Sequence, residues 1–172
     1  MLSVEPSIQL QVIHARTNIL LDEPDATVIL SNLESQDETK LQAFILKALH
    51  LQKHKQYEDA INTLELALEN SEAWLLFGKI YWDMEDYNHS LMAFLNGVQA
   101  DRNNWECMVY LGHYYHEHGN DIERSRRCYH AALQINPNSE EAGIGLSTAY
   151  RLLKNTVSII QTYFSIKTQI YM

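Results

Sequence analysis

Residues 110–137 read YLGHYYHEHGNDIERSRRCYHAALQINP, and residues 73–97 read AWLLFGKIYWDMEDYNHSLMAFLNG. Aligned, the two stretches repeat one pattern. Counting from Ser71, Trp74, Phe77, Gly78 and Tyr81 fall at positions 4, 7, 8 and 11. Those are the i, i+3, i+4, i+7 spacings of a single helix face. After a turn at Met84–Asp86, Tyr87, Ser90, Phe94 and Gly97 take positions 17, 20, 24 and 27. The next unit opens 34 residues later at Trp105, with Met108, Leu111, Gly112 and Tyr115 again at 4, 7, 8 and 11. Gly119 reads as a left-handed helix end. With one extra residue allowed around Asn120–Asp121, Ile122, Ser125, Tyr129, Ala132 and Pro137 fit positions 17, 20, 24, 27 and 32. Pro137 then breaks the second helix. A helix–turn–helix unit recurring at this period marks a repeat architecture. Glycine inside a helix costs about 1 kcal/mol relative to alanine. Its recurrence at position 8 therefore needs a packing reason: the missing side chain lets the second helix approach.

Working outward, a third unit begins near Glu140, with Leu146 and Tyr150 in register and Ser147 in place of glycine. Upstream, Leu41 opens a unit without the aromatic slot. Its second helix is legible in YEDAINTLELAL as Tyr57, Ala60, Leu64 and Ala67. The step from Leu41 to Ser71 is four residues short of the period, which predicts a tight junction. A weaker unit starts at Ser7 and places Ala26 and Leu30 in a second helix. The expected fold class is therefore all-α. The domains are a degenerate N-terminal helical repeat at 1–40, an array at 41–154 with units near 41, 71, 105 and 140, and a divergent C-terminal helix or tail at 155–172. Trp74, Gly78, Tyr81, Phe94, Leu111, Gly112, Tyr115, Tyr129, Ala132 and Pro137 are the expected packing residues.

Composition narrows the function classes. The chain has 172 residues, 46% of them hydrophobic, with only 3 prolines and 6 glycines. That suits a helical domain with a sizeable core and argues against disorder. A formal net charge of −9 repels phosphate backbones, so direct nucleic-acid binding is not expected. The opening MLSVEPSIQL carries an acid and no Lys or Arg, unlike a secretory signal. No run reaches the roughly 18 apolar residues that span a bilayer. Cys107 and Cys128 make no disulfide framework and read as reduced thiols of a cytoplasmic protein.

These residues resemble the tetratricopeptide repeat (TPR) family over Leu41–Tyr150, most specifically in the two central units. The resemblance implies a right-handed superhelical solenoid of antiparallel helix pairs, its concave groove lined by the first helix of each pair. A narrower resemblance rests on AWLLFGKIYWDM and on the run around Tyr110–Tyr115, Gly119, Arg124, Arg127, Cys128, Tyr129 and Ala132. It is similar to the scaffold-subunit family of the superkiller complex. That resemblance implies a non-catalytic scaffold for cytoplasmic 3′→5′ mRNA decay by the exosome, with a DExH-box RNA helicase and a WD40 propeller protein as partners. Members of that family are far longer than this chain. The other reading is a stand-alone peptide-binding adaptor of the co-chaperone type. The TPR carboxylate clamp uses Lys, Asn and Arg on successive first helices. The matching positions here hold Leu75, Lys79, Tyr110, Glu141 and Gly145, so only Lys79 is a cation.

On the groove-facing register lie Lys79, Trp82, Val109, His113, His116, Thr148 and Arg151. They form a mixed aromatic and weakly basic surface suited to an extended or helical acidic peptide. Alternatively, a longer array covers this surface with its own helix. Other chemistry finds little support. In HYYHEH, His113 and His116 share a face and could ligate zinc, but a third ligand and second shell are wanting, and neither HExxH nor CxxC occurs. No metal or cofactor is expected. Arg124, Arg126 and Arg127 could grip an anion, or simply form a solvated face with Glu123. There is no GxSxG and no glycine-rich phosphate loop. Glu140 and Glu141 open a helix, where its dipole favours acids. After Asn155, Ile159, Tyr163, Ile166 and Ile170 form an apolar stripe without a polar cap, from which self-association through the C-terminal end is expected.

Overall fold

The computed structural model describes residues 8–21, 23, 25–68 and 70–170, with backbone only for 8, 155 and 157–170. Two compact units divide the chain, residues 1–100 and 101–172. The first contains α1 (Ile8–Leu21), α2 (Ala26–Glu34), α3 (Lys40–Lys53), α4 (Tyr57–Leu64), α5 (Ser71–Asp83) and α6 (Tyr87–Ala100). The second contains α7 (Trp105–Glu117), α8 (Ile122–Ile135) and α9 (Glu140–Ile170). The described residues form helices and turns with no strand.

From α5 onward, helix starts are set by side-chain caps that satisfy otherwise orphaned N–H groups, whereas α2, α3 and α4 begin without one. Asn70 Oδ1 accepts from the Glu72 amide, Asn104 Oδ1 from that of Cys107, and Asp121 Oδ1 from that of Arg124, at 2.8, 3.1 and 2.9 Å. Asp86 accepts from the His89 amide at 3.2 Å and pairs with the His89 ring at 2.6 Å. That amide first, then the ring, holds the Asp86 carboxyl below its ordinary range. The depressed value makes this cap stabilising at neutral pH, and the stabilisation is lost as pH falls through the carboxylate range.

The hairpin turns share one device. In the α3–α4 turn, Lys55 adopts φ 60° and its N–H donates to Gln52 O, while Gln56 N–H reaches Leu51 O. Glu85, φ 61°, repeats this with Trp82 O, and Asp86 with Tyr81 O. This is the left-handed helix stop that usually employs glycine. In the α7–α8 turn the left-handed residue is Asn120, φ 47°, and no glycine has positive φ among the described residues. The expectation for Gly119 is therefore corrected by one residue. The extra residue lengthens the closing bond, so that Asp121 N–H reaches Tyr115 O. A left-handed non-glycine residue is strained by roughly 1 kcal/mol or more. Glu85→Gly is accordingly expected to stabilise the first unit by about 1 kcal/mol, read as a raised urea midpoint. A lowered midpoint would mean that the Glu85 side chain contributes more than its backbone costs.

The core is assembled from small-against-large contacts. A Cβ built on Gly112 would sit 2.5 Å from Cε1 of Tyr129, and one on Gly78 would collide with the Phe94 ring. Phe94 and Tyr129 are both fully buried. In the unit at 41, Ala48 occupies the glycine slot and Leu64 the aromatic slot, both fully buried in one cluster with Ile45, Ala60 and Ile80. Glycine goes with a ring and alanine with leucine, so the pair conserves volume. Position 20 adds a polar tie. Ser90 Oγ donates to Gly78 O and Ser125 Oγ to Gly112 O, each at 2.9 Å and buried.

Further upstream, Ala26, Leu30 and Leu33 of α2 are buried with Ala15 and Ile19 of α1 and Ala43 and Leu46 of α3. The short step into α5 is achieved by tightening the end of α4 into a 3-10 turn at Glu65–Ala67. Pro137 lies two residues past α8, behind Asn136, which adopts the extended backbone that a following proline favours. The last helix departs from expectation. α9 runs unbroken from Glu140 to Ile170, so 154–155 is not a helix boundary. Ser147, placed in the glycine slot by the sequence, is exposed. Gly145 instead takes the ring: its Cβ would lie 2.5 Å from Cζ of Tyr129. The stripe Ile159, Tyr163, Ile166 and Ile170, and the self-association expected of it, lie outside the residues whose side chains are described.

Candidate functional site

The polar centre of the second unit is built around His113. Its position on α7 sets it beside Tyr129 of α8 and Glu141 of α9. Tyr129 Oη and His113 Nδ1 are 2.9 Å apart, and His113 Nε2 and Glu141 Oε1 are also 2.9 Å apart. Burial pushes the Tyr129 hydroxyl up to about 12, so it stays protonated at neutral pH. With the imidazole proton on Nε2, that N–H donates to Glu141 and Nδ1 accepts from the Tyr129 hydroxyl. One side chain from each of three helices is thereby tied together. Glu141, read from sequence as a helix-dipole acid at a carboxylate-clamp position, has this specific partner.

The groove candidates divide between the units. In the first, Lys79 and Trp82 are half-buried on α5. Trp82 packs edge-on against Tyr87 at 5.3 Å and tilts over Phe94 at 6.5 Å, so it also contributes to the core. In the second, His113, His116 and Thr148 are half-buried and Arg151 is exposed. Val109 does not belong with them. It is 1% exposed and packed with Tyr129, Ala132 and Ala142, which corrects its assignment as a groove residue. Position 5 of α7 faces inward because an apolar β-branched side chain gains more from that cluster than from water.

The remaining clusters are satisfied locally. Arg126 bonds Glu123 through Nη2 at 2.6 Å and lies over the Tyr150 ring, 5.7 Å from its centroid. Arg127 approaches the same carboxylate at 3.5 Å, and Arg124 pairs with Asp121 at 3.2 Å. Arg126 chiefly holds the Glu123 carboxyl below its ordinary range. The basic run is thus an internally paired helix face. Among the described residues no three His, Cys, Asp or Glu side chains group as metal ligands. At the carboxylate-clamp positions, Leu75 is buried, Glu141 is bound to His113 and Gly145 lies under Tyr129.

Cys107 is fully buried, and burial pushes the Cys128 thiol up to about 11 against the pull of Arg127 and Arg124. Both thiols are expected to react with a disulfide reagent at pH 7.5 at least tenfold more slowly in the native chain than in urea, because the thiolate is the reacting species. Equal rates before and after unfolding would contradict this.

Residues 71–104, which run from α5 up to the start of α7, match the family model described as tetratricopeptide repeat. This is a tetratricopeptide-repeat protein. The mouse superkiller complex protein 3 is 30% identical over 128 residues, covering 69% of this chain and 8% of that protein. Its human counterpart is 27% identical over 150 residues, covering 80% and 10%. Tetratricopeptide repeat protein 37 of Xenopus laevis is 30% identical over 127 residues, covering 69% and 8%. The chain thus resembles superkiller complex protein 3 while spanning about a tenth or less of the length of these relatives. Crystal structures of MamA superpose with TM-scores of 0.63 at 15% identity, one covering 91% of this chain and 87% of MamA. That likeness shows the all-α tetratricopeptide-repeat fold. No helix among the described residues is long and apolar enough to cross a membrane.

Of the features that shape this region, sequence reading missed the serine ties and Gly145. Serine recurring four residues before each core aromatic was the available signal for the first. Nothing in a one-dimensional register marks the second.

Proposed function

We propose that this chain is a segment of a non-catalytic scaffold of the superkiller type, acting in cytoplasmic 3′→5′ mRNA decay by the exosome. The observation that carries the reading is the 30% identity to mouse superkiller complex protein 3 over 128 residues. Among the described residues, the polar clusters around His113 and around Glu123 are paired among themselves. The scaffold's partners are a DExH-box RNA helicase and a WD40 propeller protein. They contact first-helix faces: Lys79 and Trp82 on α5, and His113, His116, Thr148 and Arg151 on α7 and α9.

The test is affinity purification of the tagged full chain from cytoplasm. Recovery of the helicase and the WD40 protein supports the reading, and their absence overturns it. His116→Ala with Arg151→Ala is expected to reduce their recovery severalfold with an unchanged far-UV spectrum, since His116 is half-buried, Arg151 is exposed and neither belongs to the buried core. Recovery at wild-type level would move binding off this face. Tight binding of the purified chain to single-stranded RNA at physiological salt would contradict the protein-partner reading, because a net charge of −9 supplies little phosphate attraction.

A further inference from the structure

The first-helix residue at position 5 is apolar in four units, and its fate differs. Ile45, Leu75 and Val109 are buried, whereas Ile144 of α9 is 69% exposed. Six residues on, Tyr150 is 51% exposed. Glu140, Ser147 and Lys154 are exposed on the same side of the helix. The spacing 140, 144, 147, 150, 154 places them along one face, about 21 Å long at 1.5 Å per residue. Gly143 borders this face. Unlike Gly78, Gly112 and Gly145, a Cβ built there meets nothing within 4 Å, so no packing among the described residues accounts for a helical glycine at that point.

The charges say what fits. Glu140 stands at the start of the face and Lys154 at its end, each seven residues from Ser147, and exposed Arg151 adds to the basic end. We propose that α9 pairs antiparallel with α9 of a second copy of this chain about a twofold axis at Ser147. Glu140 then lies opposite Lys154 of the partner subunit, and Ile144 opposite Tyr150 of the partner subunit. A parallel pair would set like charges against each other, so the charge order selects the antiparallel one. The contact is isologous and closes at two copies. A single helix face buries less than the roughly 800 Å² per partner of a standard interface, so the dimer is weak and concentration-dependent. This inference does not rest on the superkiller reading.

Sedimentation equilibrium of the full chain at low salt, up to about 200 µM, tests it. The weight-average mass is expected to rise from 20.0 kDa toward twice that. Glu140→Lys alone and Lys154→Glu alone should each hold the chain monomeric. The charge exchange Glu140→Lys with Lys154→Glu should restore association, because an antiparallel pair regains both opposite-charge contacts. A wild-type chain that stays monomeric overturns the proposal. So does a dimer indifferent to both single reversals, which would locate association elsewhere, or an exchange variant that fails to recover.

Discussion

Gly112→Leu is expected to destabilise the second unit by about 3 kcal/mol, near the upper end for overpacking a filled core. Even the first atom of the new side chain would lie 2.5 Å from the Tyr129 ring. That ring cannot step aside easily. The ring also packs closely on Gly145, where a built Cβ would likewise lie 2.5 Å from it, and its hydroxyl is held by His113. Ser125 also fixes the backbone at Gly112 through the carbonyl it bonds. The urea midpoint followed by circular dichroism should fall by roughly 1–3 M, given slopes of about 1–3 kcal/mol/M. An unchanged midpoint would show that the glycine slot is not a packing position.

A second large effect is expected at the corresponding pair in the first unit, and it changes sign with context. Gly78→Ala alone should cost about 1–3 kcal/mol, because its Cβ collides with the Phe94 ring. Phe94→Leu alone should cost a similar amount through the cavity it leaves. Together they recreate the Ala48–Leu64 pair already present in the unit at 41. In the Phe94→Leu background, Gly78→Ala should therefore be neutral or stabilising, helped by the roughly 1 kcal/mol that alanine gains over glycine in a helix. The readout is a double-mutant cycle on urea midpoints, in which contacting residues show coupling of about 0.5–3 kcal/mol. Simple additivity of the two losses would refute the volume-matching account.

The sequence by itself determined what local periodicity and local hydrogen bonding control. Trp74, Gly78 and Tyr81 mark one helix face, and Tyr87, Ser90 and Phe94 the next, because helical spacing brings them together wherever the helix lies. The helix starts at Ser71, Trp105 and Glu140 follow Asn70, Asn104 and Ser139, residue types that cap through their own side chains. The short step before Ser71 announced a tight junction, realised as the 3-10 turn at Glu65–Ala67. Of the candidate surface, the register could place His113 and His116 on one side of α7, but not what each side chain meets.

Tertiary structure alone decided the rest, because burial depends on which neighbour covers a face and not on the face itself. Val109 and Ile144 occupy the same repeat position; one lies in a cluster with Tyr129 and Ala142, and the other stands in water. Gly145 had no signature in the register, since its reason is a ring projecting from another helix. His113 became a tie between Tyr129 and Glu141 only when three helices came within hydrogen-bond reach. Asn120 took the left-handed turn from Gly119 because the inserted residue shifted where the chain had to reverse. Helix faces are set by a rotation of about 100° per residue that the chain carries in its own order, whereas contacts between faces are closed only by the packed fold.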